Sequence, residues 1–200
     1  MSRIETLEQL HALYGDPATL ALRKVAVRLT PLYRAWIEGS RFCVLSTVGP
    51  KGTDGSPRGD DGPVVQVADE TTLLMPDWRG NQRLDSLRNI VRDGRVSLMF
   101  LVPGSRTIVR VNGTAWLSAD DALRMRFEQR GKHPATVIVI EIAEIYTQCP
   151  KALIRSGLWS RDDADGVPGM GAILAEMTDG EEGGEDYDRT YEERAQPRMW

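Results

Sequence analysis

The apolar positions of the first forty residues recur at helical spacing. Ile4, Leu7, Leu10, His11 and Tyr14 fall on one face of a predicted helix, which Gly15-Asp16-Pro17 breaks. A second helix is predicted from about Pro17 through Leu20 and Val25 to Leu29. Thr30-Pro31 caps and opens a third over LYRAWIEG, and Gly39 stops it.

From residue 41 the pattern becomes that of strands. RFCVLSTV (41–48) is short, apolar and rich in β-formers, whereas GPKGTDGSPRGDDGP (49–63) holds five glycines and three prolines and reads as an irregular loop. VVQVA (64–68) and TTLLM (71–75), joined by Asp69-Glu70, predict a hairpin. NQRLDSLRNIVRDG predicts a helix whose stripe is Leu84, Leu87, Ile90 and Val91, with Gly94 at its end. RVSLMFLV (95–102), a Pro103-Gly104 turn and RTIVRVNGTAWLS (106–118) make a second hairpin. Asn112-Gly113 lies within continuous strand and therefore predicts a bulge rather than a turn. ADDALRMRFEQRG (119–131) has acids first and arginines later, as a helix dipole favours, and TVIVIEIAEIYTQC (136–149) predicts a long strand.

About six strands in sequential hairpins, with helices outside them, favour an antiparallel sheet or small barrel over a doubly wound α/β fold. The expected organisation is a helical extension over residues 1–39, a barrel over 40–160 and a glycine- and acid-rich tail over 161–200. Within the tail GMGAILAEMTDG predicts a short helix. EEGGEDYDRTYEERAQPRMW reads as poorly packed alone, either disordered or an arm laid on a partner subunit.

Composition narrows the function. The net charge of −4 over 200 residues argues against a general nucleic-acid binder. No apolar run approaches the roughly 20 residues that span a bilayer, and MSRIETLEQLHALYG is mixed in charge, unlike a secretory signal. Cys43 and Cys149 form no metal-binding spacing and no disulfide framework, and His11 and His133 are the only histidines. The expectation is a cytoplasmic protein without a metal site.

Candidate chemistry then rests on arginines. Arg58 lies in the glycine-rich loop, and Arg79 and Arg83 flank Gly80 after the first hairpin. Guanidinium groups grip phosphate through paired, charge-assisted hydrogen bonds, and amides of glycine-rich turns add donors. Arg83 is expected near a helix start, which also attracts anions. Solvated surface arginines are the plain alternative for each one taken singly. Arg110 stands between Val109 and Val111 inside a strand, where it either faces outward or serves a site. Lys151, Arg155 and Trp159 recur at intervals of four, so a helix would place two cations and an indole on one face.

Other patterns carry less. Arg58-Gly59-Asp60 is an adhesion tripeptide in the wrong compartment. The glycines at 166, 169 and 171 follow no strand, and neither histidine has a triad neighbourhood. Asp60-Asp61 and Asp120-Asp121 read as loop and helix-start acids. No nucleophile, acid–base pair or metal set emerges, so a bound cofactor is expected to carry the chemistry, and the catalytic residues are unknown.

The ordered string STVGPKGTDGSPRGD, a hairpin, MPDWRGNQRLDSLRNIVRDGRVSLMFLVPG and RVNGTAWLS resembles the FMN-binding split-barrel family named for pyridoxamine 5′-phosphate oxidase, over roughly residues 38–160. The resemblance implies a mainly β, α+β fold: a six-stranded antiparallel split β-barrel with peripheral helices, forming a homodimer with FMN at the subunit interface. It implies that Arg58 and Gly59 run beside the flavin and that Pro76 and Asp77 line its ring and ribityl chain. Gln82 and Arg83 match the basic pair that holds the phosphate, with Arg79 and Asn81 supplying what Gln82 lacks. Arg110 falls on the strand that approaches the flavin, and Lys151, Arg155 and Trp159 match the place where a partner subunit covers the ring. The ending RTYEERAQPRMW departs from the arginine-containing segment by which the oxidases proper recognise pyridoxal phosphate. The expected function is therefore an FMN-dependent oxidoreductase acting on an unknown small molecule. A non-catalytic flavin or haem binder and a true pyridoxamine 5′-phosphate oxidase are the alternatives.

Overall fold

A computed structural model describes residues 3–200. The N-terminal stripes form three short helices, α1 (Leu7–His11), α2 (Thr19–Arg23) and α3 (Pro31–Glu38). Thr6 and Thr30 cap the first and third by accepting from Gln9 N at 3.2 Å and Tyr33 N at 3.4 Å. The second helix ends six residues before Leu29, where the sequence places its end. Its continuation, VAVRLT, is rich in β-branched residues and gains more by extending. Ala26 and Ile145 exchange backbone hydrogen bonds, and Leu29 N donates to Glu70 O at 2.7 Å.

The chain then runs through β1 (Phe42–Gly49), β2 (Gly52–Gly59), β3 (Gln66–Val67), β4 (Thr72–Asp77), α4 (Asp85–Arg92), β5 (Arg95–Leu101), β6 (Ile108–Ser118), α5 (Asp121–Arg124) and β7 (Thr136–Gln148). All strand pairs are antiparallel, in the order β2-β1-β5-β6-β7-β4-β3. Alternate residues of the long strands fill one core. Cys43, Leu45, Leu98, Phe100, Val109, Val111, Ile138, Ile140 and Ile145 are all fully buried. The intervening residues face out, and register aligns Val44, Met99, Arg110 and Tyr146 in one row across four strands.

The sheet has seven strands rather than six, because the glycine-rich stretch taken for a loop is β2. It pairs with β1 residue for residue, with Pro57 opposite Val44. An edge strand uses only one of its hydrogen-bonding sides, so it tolerates proline and need not look apolar. The bulge expected at Asn112-Gly113 is present. There the backbone of β7 comes so close that a Cβ on Gly113 would run into the Glu141 carbonyl.

The helix expected over 119–131 stops at Arg124. Leu123 and Phe127 pack on Leu74, Val137 and Val139. A tight turn follows, with Arg130 and Gly131 left-handed at φ 52° and 73°, and Gln129 and Lys132 exchange two 3.0 Å backbone bonds across it.

Beyond β7 come α6 (Lys151–Ser156), α7 (Met170–Met177), α8 (Glu185–Arg189), α9 (Tyr191–Ala195) and a 3₁₀ turn at Gln196–Arg198. The end of the tail is more ordered than its composition predicts. Asp188 accepts from Gly171 N at 2.8 Å, and Arg194 sits 4.5 Å from the Tyr187 ring. No residue of α8, α9 or the 3₁₀ turn is buried, so polar contacts hold this segment. Among the described residues no helix is long and apolar enough to cross a membrane, and no group of three or more potential metal ligands assembles.

Candidate functional site

Edge strand β2 turns alternate residues toward a cavity instead of the core, which is why its half-buried side is polar. Asp54, Ser56 and Arg58 lie on that side, and Asp60 continues the alternation. The cavity, about 1090 Å³, is bounded by residues 54–60, by Met75–Asp77 at the end of β4 and by the turn that leads into α4. The turn that carries Arg79 and Arg83 thus folds back opposite the strand that carries Arg58, and Arg58, Gly59, Pro76, Asp77, Arg79, Asn81, Gln82 and Arg83 all line the same space.

Arg58 and Arg83 are already paired. Arg58 Nη1 donates to Asp77 Oδ1 at 2.6 Å, with the side chains only 18% and 15% exposed. Its Nε is buried and has no hydrogen-bond partner among the described residues. Arg83 is solvent-exposed and paired with Asp85, whose carboxylate raises the guanidinium further above its ordinary value. Arg83 lies before the helix rather than at its start. Gln82 and Leu84 are left-handed, at φ 60° and 59°, and α4 begins only at Asp85. Arg79 makes no ion pair among the described residues.

Several lining residues escaped the sequence reading. Ser86, at the start of α4, is buried and donates to Asp54 Oδ2 at 2.5 Å. Asp60, read there as a loop acid, is a hub. It accepts from its neighbour's Asp61 N at 2.7 Å, Trp78 Nε1 at 2.6 Å, Gln129 Nε2 at 3.0 Å and Trp200 Nε1 at 3.2 Å. Lys132 and His133 line the cavity from the turn after α5, and Met199 and Trp200 line it from the end of the tail. His133 Nδ1 is held by donating to Phe127 O at 2.6 Å.

Arg110, Lys151, Arg155 and Trp159 stand apart from this cavity. Arg110 occupies the outward row of the sheet, 5.4 Å from the Tyr146 ring centroid, with a buried Nε that lacks a partner. Lys151 and Arg155 are exposed on α6. Trp159 does not extend their helical stripe, because Gly157 turns left-handed at φ 61° and ends the helix. Its indole instead donates to Ser105 O at 2.8 Å.

Chemically the cavity holds a balanced set of charges. Arg58, Arg79, Arg83 and Lys132 face Asp54, Asp60, Asp77 and Asp85. An anion would find cations and turn amides at residues 79–83, and hydrogen-bonding edges of a ligand would find Ser56, Arg58 and Asp60 along β2. The cavity's hydroxyl–carboxylate contact is the bond from Ser86 Oγ to Asp54 Oδ2 at the start of α4. Cys43, near Arg58, is a core thiol that burial pushes up to about 12 despite the opposing arginine charge.

The sequence profile of the pyridoxamine 5′-phosphate oxidase family matches residues 29–149. Among solved structures, HupZ of Group A Streptococcus superposes with a TM-score of 0.50 at 19% identity, covering 60% of this chain and 93% of that one. A candidate pyridoxamine 5′-phosphate oxidase of Lactobacillus delbrueckii gives 0.48 at 22% identity, covering 60% and 95%. An FMN-binding protein of Syntrophomonas wolfei gives 0.41 at 19%, covering 64% and 90%. No curated protein matches the chain by sequence. The antiparallel sheet is thereby of the split-barrel type, and the matched segment runs from the end of the N-terminal helices to the end of β7.

Proposed function

Because this chain belongs to the pyridoxamine 5′-phosphate oxidase family, we propose that the cavity holds FMN and that the protein is a homodimeric oxidoreductase acting on a small molecule. The observation that carries the reading is the convergence of the Arg58 strand and the Arg79–Arg83 turn on one large cavity. Its volume of about 1090 Å³ is ample for a cofactor of that size. Bound FMN would supply a ring that accepts and returns a hydride or single electrons.

The residues divide the remaining work. Arg79 and Arg83 offer charge to the phosphate, with the amides around Gly80 and Asn81 adding donors. The ion pair with Asp77 fixes Arg58 in the cavity wall. Buried Pro76 closes an apolar wall. Asp54 opposes an anion, and its bond from Ser86 partly offsets that repulsion.

A second copy of the chain accounts for two further features. Arg110 lies half-buried on the outward face of the sheet beside Met99 and Tyr146. Lys151, Arg155 and Trp159 lie off the cavity of their own chain, where a partner's flavin could meet them. Sedimentation with and without FMN tests the dimer.

The absorbance spectrum of the untreated protein tests the cofactor, and anaerobic addition of a nicotinamide reductant tests the chemistry. A flavin spectrum that bleaches supports the full reading. A flavin spectrum inert to every donor leaves a binder, and absence of flavin uptake removes both.

A further inference from the structure

Trp200 lies in sequence 140 positions from Asp60, yet its indole reaches that carboxylate at the rim of the cavity. Three more contacts seat the same segment. The Arg130 guanidinium carbon lies 4.6 Å from the Trp200 ring centroid, Arg130 Nη1 donates to Gln196 Oε1 at 3.3 Å, and Lys132 Nζ donates to Pro197 O at 2.9 Å. The left-handed pair Arg130-Gly131 builds the turn that presents both cations. Met199 and Trp200 thereby become part of the cavity wall.

We propose that residues 196–200 are a displaceable strap over the cavity, latched by Asp60 and Arg130, which must lift for a ligand to enter or leave. The proposal rests on reading the cavity as a ligand site, and it deepens that reading by assigning control of access. Two observations make the strap mobile rather than structural. First, no residue of the 3₁₀ turn is buried, Met199 is exposed and Trp200 is only half-buried, so its seat consists mainly of polar and cation–ring contacts. Segments held in this way open at little cost compared with the core. Second, Asp60 keeps three other donors when the indole leaves, namely Asp61 N, Trp78 Nε1 and Gln129 Nε2. The Trp200 bond is the longest of the four, and breaking it strands no buried charge. The latch is therefore satisfied in both positions, as a reversible closure requires.

Two readouts test the strap in the full chain. In the first, Ser56→Cys on a Cys149→Ser background places a reporter thiol on the cavity side of β2, and its labelling by a small disulfide reagent is timed. Adding Trp200→Ala, or independently Arg130→Ala, should speed labelling by at least about threefold, since a guarded site reacts in proportion to its open fraction. In the second, FMN association and dissociation, followed by flavin fluorescence, should both quicken in the same variants while equilibrium affinity changes less. Hydrogen exchange over residues 190–200 must rise alongside, which shows that the strap has been released. Labelling and association rates that stay at parental values with the strap released would overturn the proposal. So would strap exchange that neither variant changes. If labelling responds but FMN never binds, the strap stands and the flavin assignment falls.

Discussion

Arg58 and Asp77 form the least exposed ion pair of the molecule among the described residues, 2.6 Å apart where the end of β2 faces the end of β4. The pair joins the two arms of the cavity and fixes the Arg58 fork. Removing one member of a buried pair strands the other, which costs about 3–5 kcal/mol, whereas replacing both by apolar groups is often nearly neutral. Asp77→Leu alone, like Arg58→Met alone, should therefore lower the melting temperature by roughly 10 °C, and combining the two should recover most of that loss. Thermal denaturation of the four proteins of this cycle checks it. Additive losses in the double variant would show that the two charges are not coupled.

Arg83 presents a sharper question, because it is exposed and already shares its charge with Asp85. If it holds the FMN phosphate, Arg83→Ala lowers FMN affinity by roughly tenfold, the effect of deleting one charge-assisted contact. Riboflavin, which has no phosphate, should be affected far less, and Arg79→Ala should behave in the same way. Titration by flavin fluorescence measures all four combinations. Equal losses for FMN and riboflavin would move the phosphate away from this turn.

Much of the barrel was legible because alternation of buried and less buried residues marks β1, β5 and parts of β6 and β7, and a short apolar run marks β4. Asn112-Gly113 was readable as a bulge because strand residues continue on both sides. Strand β2 was not legible, and the reason is physical. Its half-buried side faces a cavity, so Asp54, Ser56 and Arg58 stand where an ordinary strand has apolar residues, and Pro57 is tolerated only because the strand is an edge. Residue type alone singled out the arginines, but not their carboxylate partners. The hub at Asp60 was out of reach of any local pattern, since Trp78, Gln129 and Trp200 lie 18, 69 and 140 positions away. The left-handed residues at 82 and 84 shortened α4 without any glycine or proline to signal it.

The bulge offers a test of packing that does not depend on any ligand. A methyl group at Gly113 would meet the Glu141 carbonyl, which is backbone and cannot swing aside. Gly113→Ala must then push β6 from β7, at a cost of about 1–3 kcal/mol for overpacking. Urea denaturation should show a lower midpoint with an unchanged slope. A midpoint equal to that of the parent would mean that the two strands are less closely apposed than the structure shows.

The two thiols should behave as opposites. Cys149 is exposed and Cys43 is buried in the core, so a thiol reagent at neutral pH should modify one site per chain until the protein is unfolded. Burial raises the Cys43 thiol from an ordinary 9.0 to about 12, with the Arg58 charge opposing the rise. In the folded protein it keeps its proton over that interval, while in the unfolded chain it loses it. The unfolded state therefore binds fewer protons there, and stability must fall as pH rises. The contribution is complete below pH 9 and disappears as pH climbs toward 12, at a slope of up to about 1.4 kcal/mol per pH unit. Cys43→Ala will be less stable at neutral pH because it leaves a small void, but it should lose this part of the alkaline slope. Denaturant midpoints measured from pH 8 to 11 compare the two slopes directly. Parallel slopes would show that Cys43 ionises as readily in the folded protein as in the unfolded chain, and that it is not sealed in the core.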